Sequence, residues 1–97
     1  MKLTSKSFTY LEDYVYEKIW SERSQKDQAV LAAMSSASSG KVDNIRGQVG
    51  MSSNSFTTYR SRLMRKGLII SPSYGTLRFA LPRFREFVRR QMFLSVE

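Results

Sequence analysis

The sequence contains no cysteine and no histidine. The first absence excludes disulfide bonds and a thiolate nucleophile, and the second removes the commonest general base and metal ligand. The sequence also lacks a GxxxxGK[ST] phosphate loop and a GxSxG nucleophile motif, and its carboxylates are scattered. We therefore expect no enzyme activity, no catalytic residues, no metal and no cofactor.

Long apolar segments are missing as well. No run approaches the length of about 18 residues that a membrane-spanning helix needs. The stretch before Phe8 is polar and does not look like the apolar centre of a signal peptide. We expect a soluble, cytoplasmic protein without a membrane partner.

The length and composition are those of one folded domain. The chain has 97 residues, of which 41% are hydrophobic and 25% charged, so it can close a single core and is not expected to be disordered. We divide it into an N-terminal aromatic-rich helix at residues 1–22 and a domain at residues 23–97.

The net charge of +8 is distributed unevenly along the chain. Residues 1–40 contain five basic and five acidic residues, whereas residues 41–97 contain eleven basic and three acidic residues. A basic surface that serves only solubility would be spread more evenly. The asymmetry favours a face that binds a polyanion.

The first helix is expected at residues 7–21. Phe8, Leu11, Val15 and Ile19 recur at helical spacing and form an unusually broad apolar stripe, and the sequence does not decide whether this helix packs on the domain. The aromatic residues around this stripe exceed what a small core needs, so we expect them to cover a protein partner. They are Tyr10, Tyr14, Tyr16 and Trp20.

A second helix is expected to begin after Ser24, which forms a weak capping box with Asp27. Its buried side carries Val30, Leu31 and Met34. The small residues at 35–40 can be interpreted as a linker, but apolar periodicity resumes at once, and a surface loop within one domain fits better.

Asp43 is expected to cap a short third helix in which Ile45 and Val49 point inward. Gly50 follows this helix and suits a flexible or left-handed position. The sequence therefore predicts a tight turn between the third and fourth helices.

The fourth helix is predicted at residues 53–66. Ser52 is a good N-cap, and Met51 and Phe56 have the spacing of a hydrophobic staple. Gly67 ends the helix as its C-terminal glycine.

Two short strands at residues 68–71 and 77–80, joined by a turn at 72–76, predict a hairpin. Pro82 is expected at the first position of a closing helix. The apolar stripe of that helix is Phe84, Phe87, Val88 and Met92. The fold class is thus mainly α with a small two-stranded β-hairpin, a winged helix-turn-helix with an extra N-terminal helix and a closing C-terminal helix.

The fourth helix is the predicted DNA recognition helix. A helical wheel places Phe56, Tyr59 and Leu63 toward the core. The opposite side carries short hydrogen-bonding groups and cations that can reach base edges and phosphates. These residues are Asn54, Thr57, Thr58, Ser61 and Arg65, with Arg62 at the edge.

The same helix contains four cations and no acidic residue, so its charges have no partner within the helix. A solvated surface is the alternative interpretation, but such surfaces usually mix Glu with Lys. Arg60 falls beside the buried side and is expected to be held by a carboxylate or by backbone carbonyls. The other three cations, Arg62, Arg65 and Lys66, are predicted to contact DNA.

Further DNA contacts are expected outside this helix. Lys41 and Arg46 flank the third helix, and Arg78 should point outward from the second strand. Tyr74 in the hairpin turn either touches a phosphate or merely caps the wing. The arginines of the closing helix can extend this track, but we favour solvent exposure for them. They are Arg83, Arg85, Arg89 and Arg90.

These segments resemble a known family. The stretches SQKDQAVLAAM at residues 24–34, GMSSNSFTTYRSRLMRKGLI at 50–69 and SYGTLRFALPRFREFV at 73–88 look like the C-terminal winged-helix domain of bacterial AAA-family ATPases of the archaeal type. YRSRLMRKGLI and FALPRFREF are the most specific parts.

The resemblance implies a DNA-binding or regulatory role. In that family the winged helix follows a nucleotide-binding body, so residues 1–22 would link to an ATPase body that this sequence does not contain. The ATPase activity cannot be carried over, because the phosphate loop is missing. The positions that match the family's recognition helix are Ser53, Asn54, Ser55, Thr57, Thr58 and Arg62.

Two functions are therefore expected from the sequence. The leading one is binding of double-stranded DNA through the fourth helix and the hairpin, by a stand-alone or excised domain. The alternative is a protein-interaction or regulatory module that docks on an ATPase body or another partner through the aromatic first helix.

Overall fold

The computed structural model describes the backbone of residues 2–95 and the side chains of residues 11–92. In this part of the chain, five α-helices and one antiparallel hairpin follow each other in the predicted order. They are α1 (Lys2–Ser21), α2 (Gln25–Ser36), α3 (Val42–Val49), α4 (Ser53–Arg65), β1 (Ile69–Ile70), β2 (Arg78–Phe79) and α5 (Phe84–Ser95).

The helix at the centre of the fold is α2, which packs against α3, α4 and α5. It begins as predicted, because the Ser24 hydroxyl accepts a hydrogen bond from the Asp27 backbone N–H. The predicted apolar stripe of Val30, Leu31 and Met34 is buried. These side chains anchor the other helices around one core.

The α3–α4 pair forms a helix-turn-helix. Gly50 ends α3 with a φ of 79°, and the Ser52 hydroxyl caps α4 by accepting from the Ser55 N–H, both as predicted. The expectation that Asp43 caps α3 is wrong. The N-cap position is Lys41, which makes no side-chain cap, and Asp43 lies inside the first turn, where its charge favours the helix dipole.

The hairpin follows α4 directly. Gly67 has a φ of 78°, and the N–H of Leu68 donates to the Leu63 carbonyl at 3.1 Å, which gives the helix a Schellman end. Ile69 pairs with Phe79 in the antiparallel register. The hairpin, called the wing below (residues 69–79), completes a small winged-helix-like fold that is mainly helical, as predicted.

The loop after α2 is fixed to the wing at Gly40. The N–H of Leu77 donates to the Gly40 carbonyl at 2.8 Å, and Lys41 forms an isolated bridge with Thr76. A Cβ on Gly40 would stand 2.6 Å from the Leu77 carbonyl oxygen. Only glycine permits this close approach of the two backbones.

The closing helix begins later than predicted. Pro82 and Arg83 form a turn before α5, and Arg83 has a φ of 59°, so Pro82 is not its first residue. Phe84, Phe87 and Val88 are buried as expected. Met92 departs from the prediction because it is 39% exposed.

The side of α1 that packs on the domain is the one with Tyr16 and Ile19. Leu11 and Val15 are 61% and 50% exposed, whereas Tyr16 is 6% exposed and lies in the core. The Tyr16 hydroxyl donates to the Pro82 carbonyl at 2.8 Å, and burial raises its pKa. The side chain of Phe8 lies outside the described residues.

Two ion pairs fasten α1 to the region of α5. Arg83 donates two hydrogen bonds to the Glu12 carboxylate, and Arg90 donates to Asp13 at 3.1 Å. The hydrogen bonds from Arg83 lower the pKa of Glu12.

Among the described residues, no helix is long and apolar enough to span a membrane.

Candidate nucleic-acid interface

The orientation of α4 is the predicted one. Phe56 and Leu63 are buried, and Tyr59 is half-buried and packs against the core. The opposite side, called the α4 polar face below, faces solvent. Its residues are Asn54, Thr57, Thr58, Ser61 and Arg65, of which only Ser61 is half-buried.

The hydroxyls of this face are partly engaged within the helix. Thr57 donates to the Ser53 carbonyl at 2.9 Å, and Thr58 donates to the Asn54 carbonyl at 3.3 Å. Their oxygens keep free lone pairs as acceptors. The Asn54 side chain makes no hydrogen bond to the described residues, and its amide can both donate and accept at a base edge.

The first turn of α4 is exposed at Ser53 and Ser55. Its cations lie at the other end of the helix, where Arg65 and Lys66 are exposed and form no ion pair with any carboxylate in the described chain. Short polar groups thus precede long cations along one helix. This order suits base contacts near the helix start and phosphate contacts further along.

The structure assigns a different role to Arg62 than the sequence did. Its Nε lies 3.6 Å from the Oδ1 of Asp27, a residue of α2 that is 3% exposed. The separation is too long for a hydrogen bond, and neither atom finds another partner. The Arg62 guanidinium also lies over the Tyr59 ring at 4.9 Å. Arg62 therefore connects α4 to α2 instead of lying unpaired beside the α4 polar face.

Arg60 is the cation for which we expected a buried partner, and that partner is missing. Arg60 is half-buried, and its Nε is covered by protein without a hydrogen-bond acceptor among the described residues. The carboxylate of α2 instead pairs with Arg62, two positions along the helix. The contact with a buried carboxylate that was expected for Arg60 is thus made by Arg62.

Sequence reasoning missed Asp27 as a partner, although a signal was present. Asp27 precedes Val30 and Leu31 by three and four residues and therefore lies on the buried stripe of α2. A charge on a buried stripe requires a paired charge nearby. The sequence did not reveal which cation provides it.

Arg46 is held by its own surroundings. It approaches Asp43 at 4.0 Å and donates to the Met51 carbonyl at 3.3 Å across the turn before α4. Lys41, in contrast, is exposed and without an ion pair in the described part. Both residues were predicted to contact the DNA backbone, and of the two only Lys41 has a charge that no described carboxylate pairs with.

The wing lines two grooves. Tyr74 is fully exposed and lines one of them with Lys41 and Arg60. Arg78 is also exposed but lines the other groove, together with Arg85. The two residues predicted as DNA contacts of the wing thus line different grooves, and only the groove of Tyr74 includes residues of α4.

The arginines near α5 are mostly exposed and mostly engaged. Arg83 and Arg90 pair with α1, and the Nε of Arg85 donates to the Ser35 carbonyl at 3.1 Å. Arg89 is exposed and forms no ion pair within the described residues. Most of these arginines therefore stabilise helix packing and do not extend a free cationic track.

The aromatic partner surface predicted on α1 is only partly available. Tyr14 is 67% exposed, but Tyr16 is in the core, and Trp20 is half-buried against it. The expectation for Tyr16 is wrong because its ring packs edge-on to Phe84 at 4.9 Å. The side chain of Tyr10 lies outside the described residues.

The side chains that the structure does describe include no group of three or more potential metal ligands.

Comparison with known proteins identifies a family. A family model described as a domain of unknown function (DUF8462) matches residues 13–88, and the chain belongs to this family. Neither the search of curated proteins nor the search of solved structures found a match.

Proposed function

We propose that this member of the DUF8462 family binds double-stranded DNA through the α4 polar face and the wing. The observation that carries the proposal is the set of unpaired cations around an acid-free helix: Arg65 and Lys66 on α4, and Lys41 beside the wing. The resemblance to winged-helix tails of AAA-family ATPases supports the same role. The domain would act by binding, without catalysis of its own.

The charge arrangement supports a duplex more than a solvated surface. Many other cations of the molecule are already engaged, as Arg83 and Arg90 show, whereas Arg65 and Lys66 form no ion pair with any described carboxylate. Free cations beside short polar groups match the division between phosphate contacts and base contacts.

The affinity for duplex DNA should depend on the salt concentration. Lys41, Arg65 and Lys66, with or without Arg78, give three or four phosphate contacts, so the logarithm of affinity should fall with the logarithm of salt concentration with a slope of about −3 to −4. Arg65→Ala should flatten this slope by about 0.9, because one contact is lost. Fluorescence anisotropy with a short random duplex at three salt concentrations measures both values.

Arg89→Ala is the matched control, since Arg89 is an exposed arginine that lines a groove between α2, α3 and α5. Its slope should equal that of the wild type. Asn54→Ala should reduce the preference for the best site over random duplex by about 1–3 kcal/mol. No binding at low salt, or equal slopes for Arg65→Ala and Arg89→Ala, would contradict the proposal.

A specific observation also favours a protein partner. Leu11, Tyr14 and Val15 are exposed and lie at helical spacing on one side of α1. Large apolar side chains that adjoin one another in this way are typical of interaction surfaces. We propose this face as the second candidate function, a docking surface for a partner protein such as an ATPase body.

The second prediction tests this face without disturbing the core. The double variant Leu11→Ser, Tyr14→Ser should leave the thermal midpoint nearly unchanged, because both side chains are mostly exposed. If the face docks a partner, the variant should also abolish any self-association seen for the wild type by sedimentation. A monomeric wild type, together with an unchanged variant, would leave DNA binding as the better function.

A further inference from the structure

A groove of about 690 Å³ lies between α4 and the wing. It is lined by residues from the start of α3, from α4 and from the hairpin, and it is called the wing groove below. Its lining includes Lys41, Asp43, Arg60, Tyr74 and Thr76. The groove therefore adjoins the α4 polar face on its wing side.

Two cations line the wing groove, Lys41 and Arg60, and neither forms an ion pair with a described carboxylate. The Arg60 guanidinium also makes no hydrogen bond to a described residue. Cationic donors without protein acceptors can bind an anionic group. The Thr76 hydroxyl is already used, since it donates to the Ser73 carbonyl at 2.8 Å. Among the described side chains of the groove, the free donors are thus the two cations and the Tyr74 phenol.

We propose that the wing groove binds a phosphate group, with Arg60 and Lys41 as its two cations. The inference rests on the proposed function when the phosphate belongs to the DNA backbone. A guanidinium offers paired donors that match phosphate oxygens, and an ammonium adds a point charge. The exposed phenol of Tyr74 at the rim supplies a further donor.

Asp43 is the negatively charged residue of this site and disfavours the binding of phosphate. Its exposed carboxylate lines the wing groove and lies 4.0 Å from Arg46. A carboxylate at the rim repels an incoming phosphate, although solvent and salt weaken the repulsion. Asp43→Asn should therefore strengthen binding about two- to threefold at low salt.

The experiment compares Arg60→Gln, Lys41→Gln and Asp43→Asn with the control Arg89→Gln. Each protein is titrated with a short random duplex at three salt concentrations. Arg60→Gln and Lys41→Gln should each flatten the salt slope by about 0.9, whereas Arg89→Gln should not change it. Lys41 is exposed, so its variant tests the groove even if Arg60→Gln is poorly folded.

A second arm uses inorganic pyrophosphate and follows the amide signals of Val42, Gly75 and Thr76. The wild type should show saturable shifts of these signals, and the affinity for pyrophosphate obtained from them should be at least threefold weaker in Lys41→Gln. If the duplex binds but Lys41→Gln and Arg60→Gln keep the wild-type slope, the groove proposal fails and DNA binding stands. If pyrophosphate binds and the duplex does not, the groove takes phosphate from another source and DNA binding fails. If neither ligand binds, both proposals fail.

Discussion

Phe84→Ala should destabilise the fold by about 3–5 kcal/mol, the expected cost of emptying a buried phenylalanine site. Phe84 is fully buried where α1, the wing and α5 meet. Its ring lies edge-on to Tyr16 at 4.9 Å and to Phe79 at 5.8 Å, and it stacks on Phe87 at 5.9 Å. One truncation therefore removes contacts from three elements at once.

Urea unfolding measures this loss, followed by the fluorescence of Trp20, the single tryptophan, which packs against the core. Domains of this size have a total stability of about 5–15 kcal/mol, so the variant should be partly unfolded near 37 °C. Met92→Ala on the same helix is the control and should cost clearly less than Phe84→Ala, because Met92 is 39% exposed whereas Phe84 is fully buried. A loss below about 2 kcal/mol for Phe84→Ala would show that this junction does not anchor α1 and the wing.

The element order and the helix ends could be predicted because their signals are local. Ser24 and Ser52 cap their helices through hydrogen bonds three residues away, and Gly50 and Gly67 adopt the left-handed conformation that only a few residue types accept. Interactions of this kind depend only on a few residues that are adjacent in the sequence, so the sequence predicts them. The mainly helical fold with a small hairpin followed from it.

The buried side of α1 could not be predicted in the same way. Apolar residues occupy more than one side of this helix, so the stripe with Leu11 and Val15 and the stripe with Tyr16 and Ile19 are both helical in period. What decides between them is a partner far along the chain. Tyr16 faces the core because it meets Phe84 and the Pro82 carbonyl.

The ion pair between Asp27 and Arg62 could not be predicted either, because the two residues are far apart in the sequence. The wheel correctly placed the α4 polar face, since it depends on helix geometry alone. It could not tell which α4 arginine would meet Asp27, because that depends on how α2 and α4 cross. The pairing of Glu12 with Arg83, 71 residues apart, was equally out of reach.

Arg62→Ala should cost about 3 kcal/mol of stability, although the sequence alone predicts Arg62 as a DNA contact. Removing it leaves the Asp27 carboxylate buried without a counter-charge, and breaking a buried pair from one side typically costs about 3–5 kcal/mol. The lower end applies because Arg62 itself is partly exposed and the pair is not hydrogen-bonded. Urea unfolding of the variant measures the loss.

Asp27→Asn should behave differently, because a released Arg62 can turn toward solvent. Its stability loss should be smaller, and in the Arg62→Ala background the same substitution should restore part of the stability, since no buried charge remains. The released guanidinium lies beside the α4 polar face, so Asp27→Asn should also steepen the salt slope for duplex DNA by about 0.9. A double-mutant cycle with stability and anisotropy as its two readouts separates these effects. A coupling energy below about 0.5 kcal/mol would mean that Asp27 does not restrain Arg62, and an unchanged salt slope for Asp27→Asn would mean that the freed arginine does not reach the duplex.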